Sequence, residues 1–233
     1  MYSKTIFLVL FTILLAACST QTTQVPVTST PTEPAQAQPE ATPKEEIQPV
    51  SPAAGVTTYK IIPGESQLQY EVGEVFLNQD NRFNMAVGIT TQVSGEITGD
   101  SQKPQEISFG TFTADISQFT SDSDRRDNAI RDRFLESARY PEVNFTITQV
   151  NGLPETYQEG EEIALQIVGD LTVRDVTKPT TFDAVVMLEG DTLSGEASTT
   201  ILMSDFGFGP ISIAGILNTE DEVKVTLNFV ARP

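Results

Sequence analysis

In IALQIVGDLTVRDVTKPTTFDAVVML, residues 163–188, apolar and polar side chains alternate along two successive runs. In the first run Ile163, Leu165 and Ile167 share one face, and Gln166 points to the other. The second run repeats the pattern with Phe182, Ala184, Val186 and Leu188. A period of two is typical of a β-strand with one buried face, so the stretch predicts two neighbouring strands.

The same period recurs from Thr57 to the C-terminus. The other alternating runs lie at residues 59–62, 66–72, 86–98, 106–116, 143–147, 193–203 and 223–229. These eight or nine strands follow one another at short spacing without a βαβ rhythm, and Gly190-Asp191 joins two of them like a tight hairpin, so we expect an antiparallel sheet. An all-β chain of this size forms a sandwich or a closed barrel, and a barrel of about eight strands is either filled with side chains or holds one small ligand.

One segment breaks the strand period. SDSDRRDNAIRDRFLESARYPEVNF, residues 121–145, interleaves five of the chain's eight arginines with acidic residues. Ser121 with Asp124 predicts a capping box, and Pro141 prevents the helix from continuing into the next strand. The apolar residues at helical spacing are Ala129, Ile130, Phe134 and Ala138. We therefore predict one short amphipathic helix between two strands.

The composition excludes several function classes. The chain has no histidine and one cysteine, which removes His-activated nucleophiles and His-containing zinc sites. A net charge of −18 argues against a nucleic-acid partner, because neutralising phosphates requires an excess of Lys and Arg. We predict no catalytic residue, no metal site, no cofactor and no enzymatic activity.

The N-terminus has the features of a leader. Lys4 precedes an apolar run at residues 6–15 that is too short to span a bilayer. The run ends in LAAC, residues 15–18, which resembles the lipobox of bacterial lipoproteins and implies that Cys18 carries the lipid anchor. An ordinary signal peptide with a chance cysteine is the alternative. We expect a membrane-anchored lipoprotein on the periplasmic or cell-surface side.

The segment that follows the leader predicts a tether. Residues 19–56 are rich in Thr, Pro, Gln and Glu and contain few large apolar residues, so they cannot offset their ordering entropy by burial. The domain organisation expected from sequence is a lipoprotein signal peptide at residues 1–18, a disordered tether at 19–56 and a β-barrel domain at 57–233.

Three longer motifs resemble the YceI-like family of secreted bacterial proteins, and the resemblance covers essentially all of residues 57–233. They are RDNAIRDRFLESARYPEVNF at 126–145, IVGDLTVRDVTKPTTFDAVV at 167–186 and SDFGFG at 204–209. The resemblance implies a lipocalin-like, eight-stranded antiparallel barrel whose elongated apolar cavity binds a polyisoprenoid or a similar long amphiphile. It implies no catalytic residues.

The sequence departs from the family pattern at three positions. The second strand, ESQLQYEVGEVF at residues 65–76, lacks the histidine that members often carry there. Ser204 stands where an arginine commonly precedes Asp-Phe-Gly, and Asp175 replaces a usual glycine. If the missing His and Arg contact a ligand's head group in relatives, the head-group preference of this chain differs.

Alternation alone does not distinguish a filled interior from a cavity, and the resemblance favours the cavity. The candidate ligand-binding residues are Leu68, Tyr70, Phe109, Phe145, Ile147, Leu165, Ile167, Phe182 and Val186, with Ile130 and Phe134 of the helix as a lid. The candidate head-group residues are Arg126, Arg131 and Arg139, because guanidinium groups match phosphate oxygens. The competing interpretation of these arginines is a solvated helix surface whose charges nearly cancel.

Three functions from different classes are compatible with the sequence. The first is a lipid-anchored carrier or storage protein for an isoprenoid-like or other long amphiphilic lipid. The second is a tethered protein-interaction or stress-response module with a filled core and no small-molecule ligand. The third, a carboxylate-dependent enzyme acting on a lipid, has no acidic pair to support it. Self-association into a homodimer is a further alternative.

Overall fold

The computed structural model describes residues 55–233. The fourteen strands are β1 Thr57–Ile61, β2 Gln67–Phe76, β3 Arg82–Thr90, β4 Val93–Ser94, β5 Glu96–Gly99, β6 Ser108–Phe109, β7 Thr111–Asp115, β8 Thr120–Ser121, β9 Glu142–Asn151, β10 Ile163–Val173, β11 Val176–Glu189, β12 Thr192–Leu202, β13 Ser212–Ile213 and β14 Leu217–Arg232. Helix α1 is Asp124–Ala129, continued by a π-helical turn at Ile130–Phe134, and the 3₁₀ turns are Pro104–Glu106, Ile116–Gln118 and Met203–Phe206. None of the helices in the described part is long and apolar enough to cross a membrane.

The strands form an antiparallel barrel of eight runs. Three runs are bent, because β1 leads into β2, β3 continues through β4 into β5, and β6 continues through β7 into β8. Each run pairs with the next, through β9, β10, β11, β12 and β14, and β14 pairs back to β1 and β2. β13 is a short hairpin partner of β14 outside this ring. The predicted lipocalin-like, eight-stranded antiparallel barrel is confirmed, although bends divide its runs into more segments.

The strand register places apolar residues at one level around the wall. Leu165 lies opposite Ala184, and Ala184 lies opposite Ala197. Ala197 in turn faces Leu227, which faces Leu68. Because side chains alternate between the two faces of a strand, this register sends one apolar set inward on β10, β11, β12, β14 and β2.

The helix differs in detail from the prediction. Its N-cap is Ser123, whose side chain accepts a hydrogen bond from the Arg126 amide, so the predicted capping box at Ser121 is wrong. The Ser121 hydroxyl instead donates to the buried carboxylate of Asp127. The helix also ends at Phe134, earlier than predicted, in a π turn closed by the bond from the Leu135 amide to the Ile130 carbonyl. The wider turn buries Leu135 in the core.

The N-terminal predictions lie outside the described residues. They are the signal peptide at 1–18, the lipidated Cys18 and nearly all of the tether at 19–56. Each stays a prediction. The first described strand, β1, starts at Thr57 opposite Gly99 at the end of β5.

Candidate functional site

The barrel interior contains an apolar cavity of about 200 Å³. Each of the eight runs contributes wall side chains, although strands β3 and β8 contribute none. The polar lining residues are Tyr59, Asp100, Ser101, Thr113 and Tyr157. The apolar remainder is mostly Leu, Ile, Val and Phe. A surface of this composition binds a ligand by burying hydrocarbon, at about 25 cal/mol per Å² of apolar area before ordering costs.

The cavity occupies one end of the barrel because the other end is packed solid. Along β10, Ile163, Leu165 and Ile167 line the cavity, whereas Val173 belongs to a buried cluster at the far end. That cluster closes the barrel with side chains from several elements: Ile116, Phe119, Leu135, Leu171, Val173 and Phe206. We call this region the closed end.

The structure brings eight of the predicted ligand-binding residues to the cavity wall. They are Leu68, Phe109, Phe145, Ile147, Leu165, Ile167, Phe182 and Val186. Phe145 and Phe182 form the aromatic centre of this wall, with ring centroids 4.9 Å apart in an edge-on arrangement. That these residues contact a ligand stays a prediction.

The three remaining residues do not line the cavity, which corrects the predicted site. Tyr70 points inward but lies one level deeper, where it packs edge-on against Phe119 at 5.2 Å. Ile130 packs against the closed-end cluster, and Phe134 lies beneath the Arg133 guanidinium. The helix therefore covers the closed end and is not a lid on the cavity.

The open end of the cavity, which we call the mouth, is built by three connections. Residues 100–107 join β5 to β6, and residues 152–162 join β9 to β10. The third connection, residues 189–191, begins with the last residue of β11 and turns into β12. Lining residues from or beside these connections include Asp100, Pro104, Ile107, Leu153, Tyr157 and Leu188. The sequence did not predict any of the six as site residues. Leu188 and Ile107 belong to alternating runs, and the other four lie in irregular connections that carry no period-two signal.

Side-chain hydrogen bonds fasten the 152–162 connection across the mouth. The Tyr157 hydroxyl donates to the Leu188 carbonyl at 2.6 Å and accepts from the Leu188 amide at 2.8 Å. The Gln105 amide donates to the backbone carbonyls of Leu153 and Pro154 at 2.5 and 3.1 Å. These bonds hold apolar side chains of two connections over the cavity.

The three candidate head-group arginines lie in the segment at the closed end and already have partners. Arg126 donates to Glu74 at 2.5 Å and to Asp122. Arg131 donates to the Phe119 carbonyl and to Asn128. The Arg139 guanidinium lies over the Tyr140 ring, 4.8 Å from its centroid. None of the three lines the described cavity, so the geometry gives no support to the head-group assignment.

Two tyrosines have shifted acidities for different reasons. Burial raises the pKa of the Tyr59 hydroxyl in the cavity wall, and the nearby carboxylate of Asp191 raises it further. Burial also raises the pKa of Tyr70, against the opposing effect of Arg126. Both groups are therefore neutral at physiological pH. Within residues 55–233 no cluster of three His, Cys, Asp or Glu side chains has metal-site geometry.

Comparison with known proteins identifies the relatives of this chain. The sequence model of the family described as YceI-like domain matches residues 59–231. A UPF0312 protein of Pseudomonas putida strain GB-1 is 32% identical over 149 residues, which cover 61% of this chain and 74% of the relative. Protein YceI of Salmonella newport is 29% identical over 169 residues, covering 67% of this chain and 84% of the relative.

Two solved structures share the fold at low sequence identity. BcnA of Burkholderia cenocepacia superposes with a TM-score of 0.53 at 17% identity, covering 73% of this chain and 98% of BcnA. A polyisoprenoid binding domain from Saccharophagus degradans superposes with a TM-score of 0.54 at 12% identity, covering 75% and 97% of the two chains. These matches establish the common architecture.

Proposed function

Because this chain belongs to the YceI-like domain family, we propose that it is an extracytoplasmic binding protein for a lipid. It holds the hydrocarbon chain of an isoprenoid-like or other long amphiphile inside the barrel, for transport or storage. Cys18 anchors it to a membrane through its acyl chains. The Saccharophagus degradans domain of the same fold is described as polyisoprenoid binding, which supports this ligand class.

The observation that carries the proposal is the apolar cavity inside the barrel. Its wall has aromatic and aliphatic side chains at every level between the mouth and the closed end, and its charged lining residue is Asp100 at the mouth. An apolar chain gains free energy by entering such a space, while a polar head stays at the mouth where water satisfies it. The alternative of a filled core is not favoured by this interior.

Binding rather than catalysis is the activity that this wall supports. The ionisable lining groups are Asp100 and two tyrosines, Tyr59 and Tyr157, and Tyr157 is engaged with the Leu188 backbone. A nucleophile activated by a neighbouring base is not present among them. The homodimer stays a prediction.

The entry point of the chain fits a membrane-anchored carrier. Gly55 lies beside the Asp100 side chain, and Thr57 pairs with Gly99, so the barrel domain begins next to the mouth.

Native mass spectrometry of the purified protein tests the proposal. We expect a ligand-bound species whose extracted ligand is an isoprenoid or another single-chain lipid. After delipidation, added farnesol should restore a one-to-one complex. A protein that is purified without lipid and binds neither farnesol nor a long-chain fatty alcohol would contradict the proposed function.

A further inference from the structure

The mouth of the cavity is strongly acidic. Its three connections, residues 100–107, 152–162 and 189–191, together carry eight carboxylates and one lysine. The carboxylates belong to Asp100, Glu106, Glu155, Glu159, Glu161, Glu162, Glu189 and Asp191. The lysine, Lys103, is paired with Glu106 at 3.4 Å. A ligand head group at the mouth is therefore surrounded by an excess of negative charge.

Contacts place several of these carboxylates close to the opening. Asp100 lines the cavity itself. Glu159 accepts a hydrogen bond from the Gly190 amide at 2.8 Å, which holds the 152–162 connection against the β11–β12 turn. Asp191 is near enough to Tyr59 of the wall to affect the acidity of its hydroxyl. The acidic field thus acts on the space where a head group would lie.

Among the described residues near the mouth, no lysine or arginine lacks a carboxylate partner. Arg232, at the end of β14, donates to both carboxylate oxygens of Glu65, at 2.9 and 2.8 Å. Lys60 pairs with Glu96 at 3.5 Å. The arginine-rich segment 125–139 packs at the closed end, where Arg131 binds the Phe119 carbonyl. A phosphate or carboxylate head would meet repulsion without a partner at the mouth.

We propose that the cavity selects lipids by head-group charge, accepting an isoprenoid-like chain with a neutral or cationic head, such as an alcohol, a quinone or an amine, and disfavouring one with a phosphate or carboxylate. The proposal rests on the proposed lipid-binding function and specifies its ligand class. Like charges juxtaposed at an interface select against the wrong partner more than they strengthen the right one. The apolar wall supplies the affinity and the acidic mouth supplies the discrimination.

The test compares three ligands with one hydrocarbon chain: farnesol, farnesylamine and farnesyl diphosphate. Dissociation constants are measured on the delipidated full-length protein at low and high salt. We expect the diphosphate to bind at least about tenfold more weakly than the alcohol at low salt and the amine at least as tightly. The difference should shrink at high salt, because exposed charges are screened there.

A matched pair of variants assigns the effect to the mouth. The mouth variant is Glu155→Gln, Glu161→Gln and Glu162→Gln, three exposed carboxylates of the 152–162 connection. The control variant makes the same change in net charge on the outside of the barrel: Glu142→Gln, Asp170→Asn and Glu222→Gln. We expect diphosphate affinity at low salt to rise about threefold or more in the mouth variant and to stay within error in the control.

The outcomes of these measurements distinguish a failure of the charge selectivity from a failure of lipid binding itself. Equal affinities for alcohol and diphosphate in the wild-type protein would overturn the charge selectivity and leave lipid binding intact. An equal response of both variants would also overturn it, because the effect would then come from net charge. Failure of all three ligands to bind would contradict the proposed function itself.

Discussion

The guanidinium of Arg126 donates a hydrogen bond across 2.5 Å to the carboxylate of Glu74, a residue that is only 3% exposed. This pair fastens α1 to β2 at the closed end. Asn84 of β3 donates to the same carboxylate oxygen at 2.9 Å, and Arg126 also contacts Asp122 and Ser121. Arg126 therefore has a structural role, because a buried carboxylate needs a cationic partner and hydrogen bonds.

Substituting Arg126 with methionine should strongly destabilise the protein. Removing one partner of a buried ion pair leaves the other charge uncompensated, which typically costs about 3–5 kcal/mol. The measurement is the free energy of unfolding from urea denaturation. The control is Arg125→Met, an exposed neighbour for which we expect a change within about 0.5 kcal/mol. Equal decreases in the unfolding free energy of both variants would show that the ion pair with Glu74 does not stabilise the fold.

Tyr70 makes stability fall in alkaline solution. Burial raises the pKa of Tyr70 in the folded state above its ordinary value of 10.0, so above pH 10 the unfolded chain loses this proton before the folded protein does. The stabilising contribution is complete below pH 10 and is lost as the pH rises toward the folded-state pKa, by up to about 1.4 kcal/mol per pH unit.

Denaturation measured from pH 9 upward checks this prediction for Tyr70→Phe. The variant should show a shallower decrease of unfolding free energy than the wild-type protein. Part of the decrease should persist, since burial also raises the pKa of Tyr59. An unchanged slope would mean that Tyr70 ionises as freely in the folded state as in the unfolded chain.

A side chain at Gly169 should destabilise the fold. An added Cβ would lie 2.5 Å from the Thr146 carbonyl oxygen and 2.7 Å from the Phe145 ring, at the point where the register between β9 and β10 shifts. Backbone cannot move away as a flexible side chain can, so we expect Gly169→Ala to lower the unfolding free energy by about 1–3 kcal/mol. Gly160→Ala is no suitable control because Gly160 has a positive φ of 79°. Gly110→Ala, with no neighbour closer than 3.6 Å, should have a smaller effect.

The Tyr157 hydroxyl holds the 152–162 connection against the Leu188 backbone at the mouth. Tyr157→Phe removes both hydrogen bonds to Leu188, at a net cost of about 1–2 kcal/mol confined to the 152–162 connection. Hydrogen exchange should show a less protected Leu188 amide, and a bound lipid should dissociate faster. The matched control is Tyr140→Phe at the far end, where the ring lies under Arg139. Unchanged exchange at Leu188 would contradict this role for Tyr157.

Sequence periodicity predicted which side chains point inward but not how far along the barrel they lie. Leu68 and Tyr70 are two residues apart and share the inner face of β2, yet Leu68 lines the cavity and Tyr70 packs in the closed end. Depth depends on the register between strands that are distant in sequence, such as Leu68 against Leu227. Alternation within one strand carries no information about it.

Local sequence patterns also did not predict the N-cap of the helix, the end of the helix or the site residues at the mouth. Ser121 and Ser123 are both good N-cap residues, and the choice of Ser123 follows from the binding of Ser121 to Asp127, which the sequence does not reveal. Beside the π turn, Leu135 is buried in the core, although the predicted apolar stripe of the helix contained Phe134 and not Leu135. At the mouth, Tyr157 belongs to a connection without periodicity, so its place in the site appears only in the folded structure.

Two neighbouring residues of β11 test whether the cavity is a lipid-binding site. Val186 lines the cavity, whereas Val185 is 44% exposed on the outer surface. Val186→Phe places a phenyl ring in the ligand space, and Val185→Phe makes the same change outside it. The measurement is the dissociation constant for farnesol. We expect at least about a tenfold weakening for Val186→Phe and none for Val185→Phe, a difference of about 1.4 kcal/mol. Equal farnesol binding by the two folded variants would contradict lipid binding in the cavity.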